Sequence, residues 1–175
     1  MSDDRTKRIV MTALFAALAC VGTMVIRIPT PGTGGYIHPG DAIVILSGVF
    51  LGPVYGFLAA GIGSAMSDLL GGYFIYVPIT FFVKGAVALF SGLIYAKSIE
   101  KGKSRFAAVL YGGVADIFLV VLGYGIPESF IYGTAGALAS AIPNAVQGIS
   151  GLVLAAVLYP VLYKIFRRHV QQFNL

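Results

Sequence analysis

The chain has 175 residues, a formal net charge of +5, 58% hydrophobic and only 11% charged residues, and a mean hydropathy of +0.89. A soluble globular chain carries about 25% charged residues, so this composition excludes an ordinary soluble domain and points to an integral membrane protein. The apolar stretches run unbroken, which excludes the roughly ten-residue alternating strands of an outer-membrane barrel. A single cysteine, Cys20, leaves no internal disulfide or thiolate metal framework.

In chain order, the first apolar stretch is Ile9–Ile28. It is too long for a signal-peptide core and lacks a small-residue cleavage site, so it is predicted as the first spanning helix. PTPGTGGYIHPGD (Pro29–Asp41) follows, a Gly/Pro-rich connection of the kind that forms a lid. The second apolar run, Pro39–Gly52, offers 14 residues where a straight span needs about 20, so a short, tilted or partly submerged helix is expected. Asp41 opens that run after Gly40 and reads as a helix N-cap. Spans are predicted at Val54–Gly72 and Tyr73–Ala96, with Tyr73, Phe74 and Tyr76 of GGYFIY at a membrane interface. The fifth span is Phe106–Tyr124 and the sixth roughly Ser140–Phe166. Between them Pro127–Ala139, apolar but rich in Gly, Ala and Thr, reads as an outer loop with a short interfacial helix.

These readings sum to an all-α integral membrane protein: residues 1–175 as one domain, a compact bundle of six transmembrane helices. Orientation comes from Lys and Arg. Arg5, Lys7 and Arg8 precede the first span; Lys97, Lys101, Lys103 and Arg105 lie between the fourth and fifth; Lys164, Arg167 and Arg168 close the last. Six spans put all three clusters on one side, so the N and C termini are expected to be cytoplasmic. Arg27 and Lys84 are the exceptions. Arg27 can snorkel at the outer end of the first span. Glycines within the spans allow close helix packing.

Lys84 sits mid-span in PITFFVKGAVALF, where a charge costs about 3 kcal/mol on insertion scales. The topology brings Asp116 to nearly the same depth, so the two are expected to form an interhelical ion pair, to contact a ligand, or both. Asp68 falls in the outer third. Asn144 and Gln147, spaced i,i+3, share a face of the sixth span near Ser140. With Tyr36, His38, Tyr76 and Glu128 these residues describe an outward-facing cavity with aromatic walls and a few convergent polar groups, the usual form of a small-molecule site. Candidate ligand contacts are therefore Tyr36, His38, Tyr76, Lys84, Asp116, Glu128, Asn144 and Gln147. Each has a plainer structural use, as an interface aromatic, a loop residue or helix-to-helix glue. In the first span Ala13 and Ala17, four apart with Ala16 and Cys20 alongside, form a small-residue strip suited to helix packing within the chain or against a partner.

The sequence contains no phosphate-binding glycine loop, no H-E-x-x-H and no Cys/His cluster with zinc spacing. No cofactor, metal or nucleic acid is implied, and any active transport would need an ion gradient or a partner ATPase. The ALFAALA strip, the block HPGDAIVILSGVFLGPVYGFLAAGIGSAMSDLLGGY (His38–Tyr73) and IPNAVQG (Ile142–Gly148) resemble the substrate-binding S components of energy-coupling factor (ECF) vitamin transporters across nearly the whole chain. The resemblance implies a non-enzymatic binding subunit in a prokaryotic cell membrane. It implies a vitamin held in an outward pocket and delivered through a membrane coupling protein (T component) and two cytoplasmic ATPases, with Ala13 and Ala17 on the docking surface. The group most similar is that for hydroxymethylpyrimidine or pyridoxine-like compounds. A pantothenate-like carboxylate on Lys84 is the alternative ligand. A small ion-coupled carrier using Asp68 and Asp116, and a membrane enzyme on a small lipid or sugar, are the competing functions.

Overall fold

Backbone groups in hydrocarbon must find their partners within the segment, so a chain this apolar folds as helices. The computed structural model describes residues 2–30 and 32–173, with side chains for 5–30 and 32–166. Arg167, Arg168 and His169 lie outside the described side chains. The elements are α1 (Ser2–Val25), β1 (Ile28–Pro29), β2 (Tyr36–Ile37), α2 (Asp41–Leu51), α3 (Pro53–Gly71), α4 (Tyr76–Glu100) and α5 (Arg105–Phe173). The architecture is all-α apart from one antiparallel two-residue hairpin, Ile28 opposite Ile37 and Pro29 opposite Tyr36.

Among the described residues four helical stretches are long and apolar enough to cross a bilayer: Arg5–Val25, Pro53–Gly71, Tyr76–Glu100 and the 62-residue Arg105–Phe166. The last is long enough to cross twice. α5 breaks at Gly133, where φ 77° and ψ 171° leave the helical region for one that essentially only glycine occupies. Its two arms, residues 105–132 and 134–173, each bury a stripe recurring every three or four positions. The stripes run Val109, Gly113, Asp116, Val120, Tyr124, Glu128 and Ser140, Asn144, Gln147, Gly151, Ala155, Tyr159, as inward helix faces do.

α2 is the centre of the molecule. It has 11 residues, of which all but Ile43 are buried, and it packs against α1, α3, α4 and α5. At about 1.5 Å per residue it is some 16 Å long, too short to cross. The expectation of a short helix there holds. Close approach of its neighbours depends on small residues: a Cβ on Gly48 would overlap the Ala88 carbonyl of α4, and one on Gly63 of α3 would overlap the Ala16 carbonyl of α1.

The expected outer loop at Pro127–Ala139 is corrected. The segment is helical on both sides of Gly133, so the helix expected there takes over most of the loop and the non-helical backbone shrinks to that glycine. At one end of the bundle Arg8 lies over the Tyr55 ring, 5.8 Å from its centroid, and Arg105 over Tyr163 at 5.3 Å. The opposite end carries the hairpin, the α3–α4 turn and the Gly133 break.

Candidate functional site

The chain leaves α1 at Val25, forms the hairpin across the end of the bundle, and then descends into it. Arg27 turns onto α3 and the hairpin. Its Nη2 donates to the Ser67 carbonyl at 2.9 Å and to Ser67 Oγ at 3.0 Å, and its guanidinium lies 4.8 Å from the Tyr36 ring centroid and 5.6 Å from that of Tyr73. Tyr36 in turn donates its hydroxyl to Asp68 Oδ1 at 2.6 Å. Burial, then the Asp68 hydrogen bond, pushes the Tyr36 phenol up, so it stays a neutral donor. The hairpin tip is seated on α5, with Gly34 against the Tyr132 hydroxyl and Gly32 against Ala139 and Gly136.

Below the hairpin, polar groups stack in three layers set by helical spacing. Tyr76, Thr80 and Lys84 descend one face of α4 at i, i+4 and i+8, and each meets a group from α5 or α2. In the first layer the Tyr76 hydroxyl donates to Glu128 Oε1 at 2.9 Å and Ser140 donates to Glu128 Oε2. In the second, Thr80 and Tyr124 share a hydroxyl–hydroxyl bond of 3.0 Å, beside Asn144. In the third, Lys84 Nζ donates to Asp41 Oδ1 at 2.6 Å, both side chains being wholly buried. Gln147 Nε2 donates to the other Asp41 oxygen at 2.9 Å, and Gln147 Oε1 accepts the His38 backbone N–H at 3.0 Å. Lys84 also lies 5.3 Å below the Tyr124 ring centroid.

This overturns two expectations. The partner of Lys84 is Asp41, not Asp116, and Asp41 is not a helix cap: Gly40 holds the N-cap position and Asp41 makes no capping bond. The reason is depth. The loop after the hairpin carries His38 into the interior, where it is 6% exposed, so α2 begins at the level of Lys84 rather than at the surface. Asp116 is buried against Gly151 on the same side as Asp41. A Cβ there would lie 2.6 Å from Asp41 Cβ and 3.1 Å from Asp116 Oδ2. Neither Asp116 oxygen has a hydrogen-bond partner among the described residues.

His38, a loop residue, is buried. Its Nδ1 accepts the Gly40 N–H at 3.1 Å, so the ring is neutral with its proton on Nε2. Burial, aided by Lys84 and Arg27 and opposed by Asp41, lowers its pKa to about 3.

A small cleft opens above the second layer. Thr30, Gly35, Tyr36 and His38 line it from the hairpin side, Asp68 from α3, Tyr76 and Thr80 from α4, and Tyr124, Glu128 and Asn144 from α5. Of the eight predicted contacts, Tyr36, His38, Tyr76, Glu128 and Asn144 are on this wall. Lys84, Asp116 and Gln147 are not; they lie one layer deeper. Thr80, Asp68 and Tyr124 are wall residues outside the predicted set. Thr80 was detectable, since it sits one helical turn from both Tyr76 and Lys84; Thr30 and Gly35 carry no signal without the hairpin fold. Ala13 and Ala17 are exposed on α1, while Ala16, one position away, packs on Gly63. Of the two uses open to the alanine strip, Ala16 takes the internal one.

Several long apolar helices around a buried polar cleft define a multi-pass helical membrane protein. A family model described as the S component of the ECF-type riboflavin transporter matches residues 3–164, and the chain belongs to that family. It is a transport protein of the prokaryotic plasma membrane. It is 34% identical, over 82% of its length and 93% of the relative's, to an uncharacterized protein in the gap 3' region of Pyrococcus woesei. Identity is 27% to the thiamine precursor transporter HmpT of Lactococcus lactis subsp. cremoris, covering 93% and 91% of the two chains. It is 26% to a UPF0397 protein of Streptococcus agalactiae, covering 88% and 91%.

Proposed function

We propose that this chain is the substrate-capturing subunit of an ECF-type importer, taking a vitamin precursor of the hydroxymethylpyrimidine or pyridoxine type from outside the cell. With the arms of α5 counted separately it would be a single domain of six helices, with both termini cytoplasmic. The placement of Arg8 and Arg105 at the end away from the cleft supports that orientation. The precursor would lie between Tyr36, Tyr76 and Tyr124, with His38, Glu128 and Asn144 as polar contacts. Lys84, Asp41, Gln147 and Asp116 would form the floor that sets the depth of the pocket. The subunit itself performs no chemistry; transport would be driven by two ATPases through a T component docked on the Ala13–Ala17 face.

The single observation that carries this reading is a cleft walled by aromatic rings and carboxylates inside a chain of the S-component family. The thiamine-precursor relative supports the pyrimidine ligand. The family description favours a second ligand, a flavin. A pantothenate-like carboxylate has lost its expected partner, because Asp41 already engages Lys84.

Gently purified protein should release a pyrimidine or pyridine identified by mass spectrometry. A yellow, flavin-fluorescent preparation would establish the second ligand instead. Proton-driven uptake by the purified chain alone would overturn the subunit reading.

A further inference from the structure

Two polar atoms in the cleft wall are enclosed and hydrogen-bonded to nothing among the described residues: Asp68 Oδ2 and Asn144 Nδ2. Asp68 is 3% exposed and Asn144 5%. Leaving such atoms unpaired is costly, so a ligand that pairs them gains what the chain alone does not recover. Asp68 is aimed by its other oxygen, which Tyr36 holds at 2.6 Å. Thr80, which shares a hydroxyl–hydroxyl bond with Tyr124 at 3.0 Å, is its neighbour on α4.

The charge of the wall is equally one-sided. Asp68 and Glu128 are carboxylates, and the lining includes no lysine or arginine. Behind the wall, Lys84 is paired with Asp41, and Arg27 is hydrogen-bonded to the neutral Ser67. His38, whose Nδ1 is occupied by Gly40, offers no positive charge. An anion entering this cleft would meet two carboxylates on the wall and no basic side chain in its lining, whereas an N–H donor meets an oriented acceptor.

We infer that the cleft selects a non-anionic, flat heterocycle bearing an exocyclic amine, with Asp68 Oδ2 accepting from the amine and Asn144 Nδ2 donating to a ring nitrogen. This makes Asp68 a specificity-determining residue. It disfavours carboxylated and phosphorylated vitamers as ligands. The inference rests on the vitamin-capture reading and narrows it.

Asp68→Asn is the discriminating substitution. The asparagine carbonyl can still accept from Tyr36, while its amide puts a donor where Oδ2 presented an acceptor. Titration calorimetry on the purified full chain would use the aminated hydroxymethylpyrimidine, its oxo counterpart, the phosphorylated pyrimidine, pantothenate and riboflavin, with thermal melting to check that the variant folds. The parent protein should bind the amine form best. Asp68→Asn should weaken the amine form by about tenfold to a hundredfold and narrow or reverse the preference over the oxo form. Tight amine binding that Asp68→Asn leaves unchanged would overturn the inference and leave the capture reading standing, as would preferential binding of riboflavin, the phosphate or the carboxylate. If the variant does not fold, the parent's amine-to-oxo ratio decides alone: a ratio near one overturns the assignment. Binding of no compound by a folded parent would overturn the capture reading and the inference with it.

Discussion

Lys84 and Asp41 are wholly buried and 2.6 Å apart, so the value of each depends on the other. Removing one partner of a buried pair strands the remaining charge and costs about 3–5 kcal/mol, whereas replacing both with neutral groups is often nearly neutral. Lys84→Met should therefore lower the unfolding temperature in detergent steeply. Lys84→Met combined with Asp41→Asn should recover most of the loss, since Gln147 can still hydrogen-bond an amide at position 41. A ligand-contact role for Lys84 would instead appear as lost binding in both variants. His38 supplies the pH dependence. Its pKa is lowered to about 3 from an ordinary 6.5, chiefly by burial. The unfolded chain therefore binds a proton that the folded chain does not between those values. The stabilisation is complete above pH 6.5 and is lost as pH falls, at up to about 1.4 kcal/mol per pH unit for one site. Unfolding temperatures measured from pH 7 to 4.5 should show this slope. His38→Asn should flatten it, because an asparagine at 38 can accept the Gly40 N–H in an Asx-turn without titrating.

At the scale of elements, the break in α5 is the clearest case of one residue shaping the architecture. Gly133→Ala places a Cβ at φ 77°, ψ 171° and should cost about 1–3 kcal/mol, although space around the site is open. Gly125, eight residues earlier, is helical, and a Cβ there meets nothing within 4 Å. Gly125→Ala should be neutral or stabilise by up to about 1 kcal/mol. Thermal melts of the two variants separate backbone conformation from packing, since neither position is crowded. The hairpin is held differently, by ring stacking and Arg27 on one side and glycine contacts with α5 on the other, so its seat is a tertiary property rather than a strand propensity.

For the whole molecule, the test concerns assembly. Ala13 and Ala17 face outward on α1, far from the cleft, while Ala16 is turned inward against Gly63. Replacing Ala13 and Ala17 with Leu or Trp should reduce copurification with a T component and two ATPases several-fold, with ligand affinity in the isolated subunit unchanged. Loss of both would show that this face packs within the chain. Ala16→Leu, by contrast, should destabilise the subunit itself.

Membrane residence, helical content and the positions of most apolar runs follow from the sequence alone, because hydrocarbon forces each segment to satisfy its own backbone and mark its ends with charge, proline or glycine. Tyr36, His38, Tyr76, Glu128 and Asn144 were legible as wall residues for the same reason: polar groups at depth have few uses. Which groups pair is a different matter. Spacing along one helix shows that Tyr76, Thr80 and Lys84 share a face, but not that the loop after the hairpin sinks far enough to start α2 beside Lys84. That depth turned Asp41 from an expected cap into the counterion of Lys84 and left Asp116 without a hydrogen-bond partner among the described residues. Partnership between buried charges depends on azimuth and loop path as much as on depth, and these are set only when the helices pack.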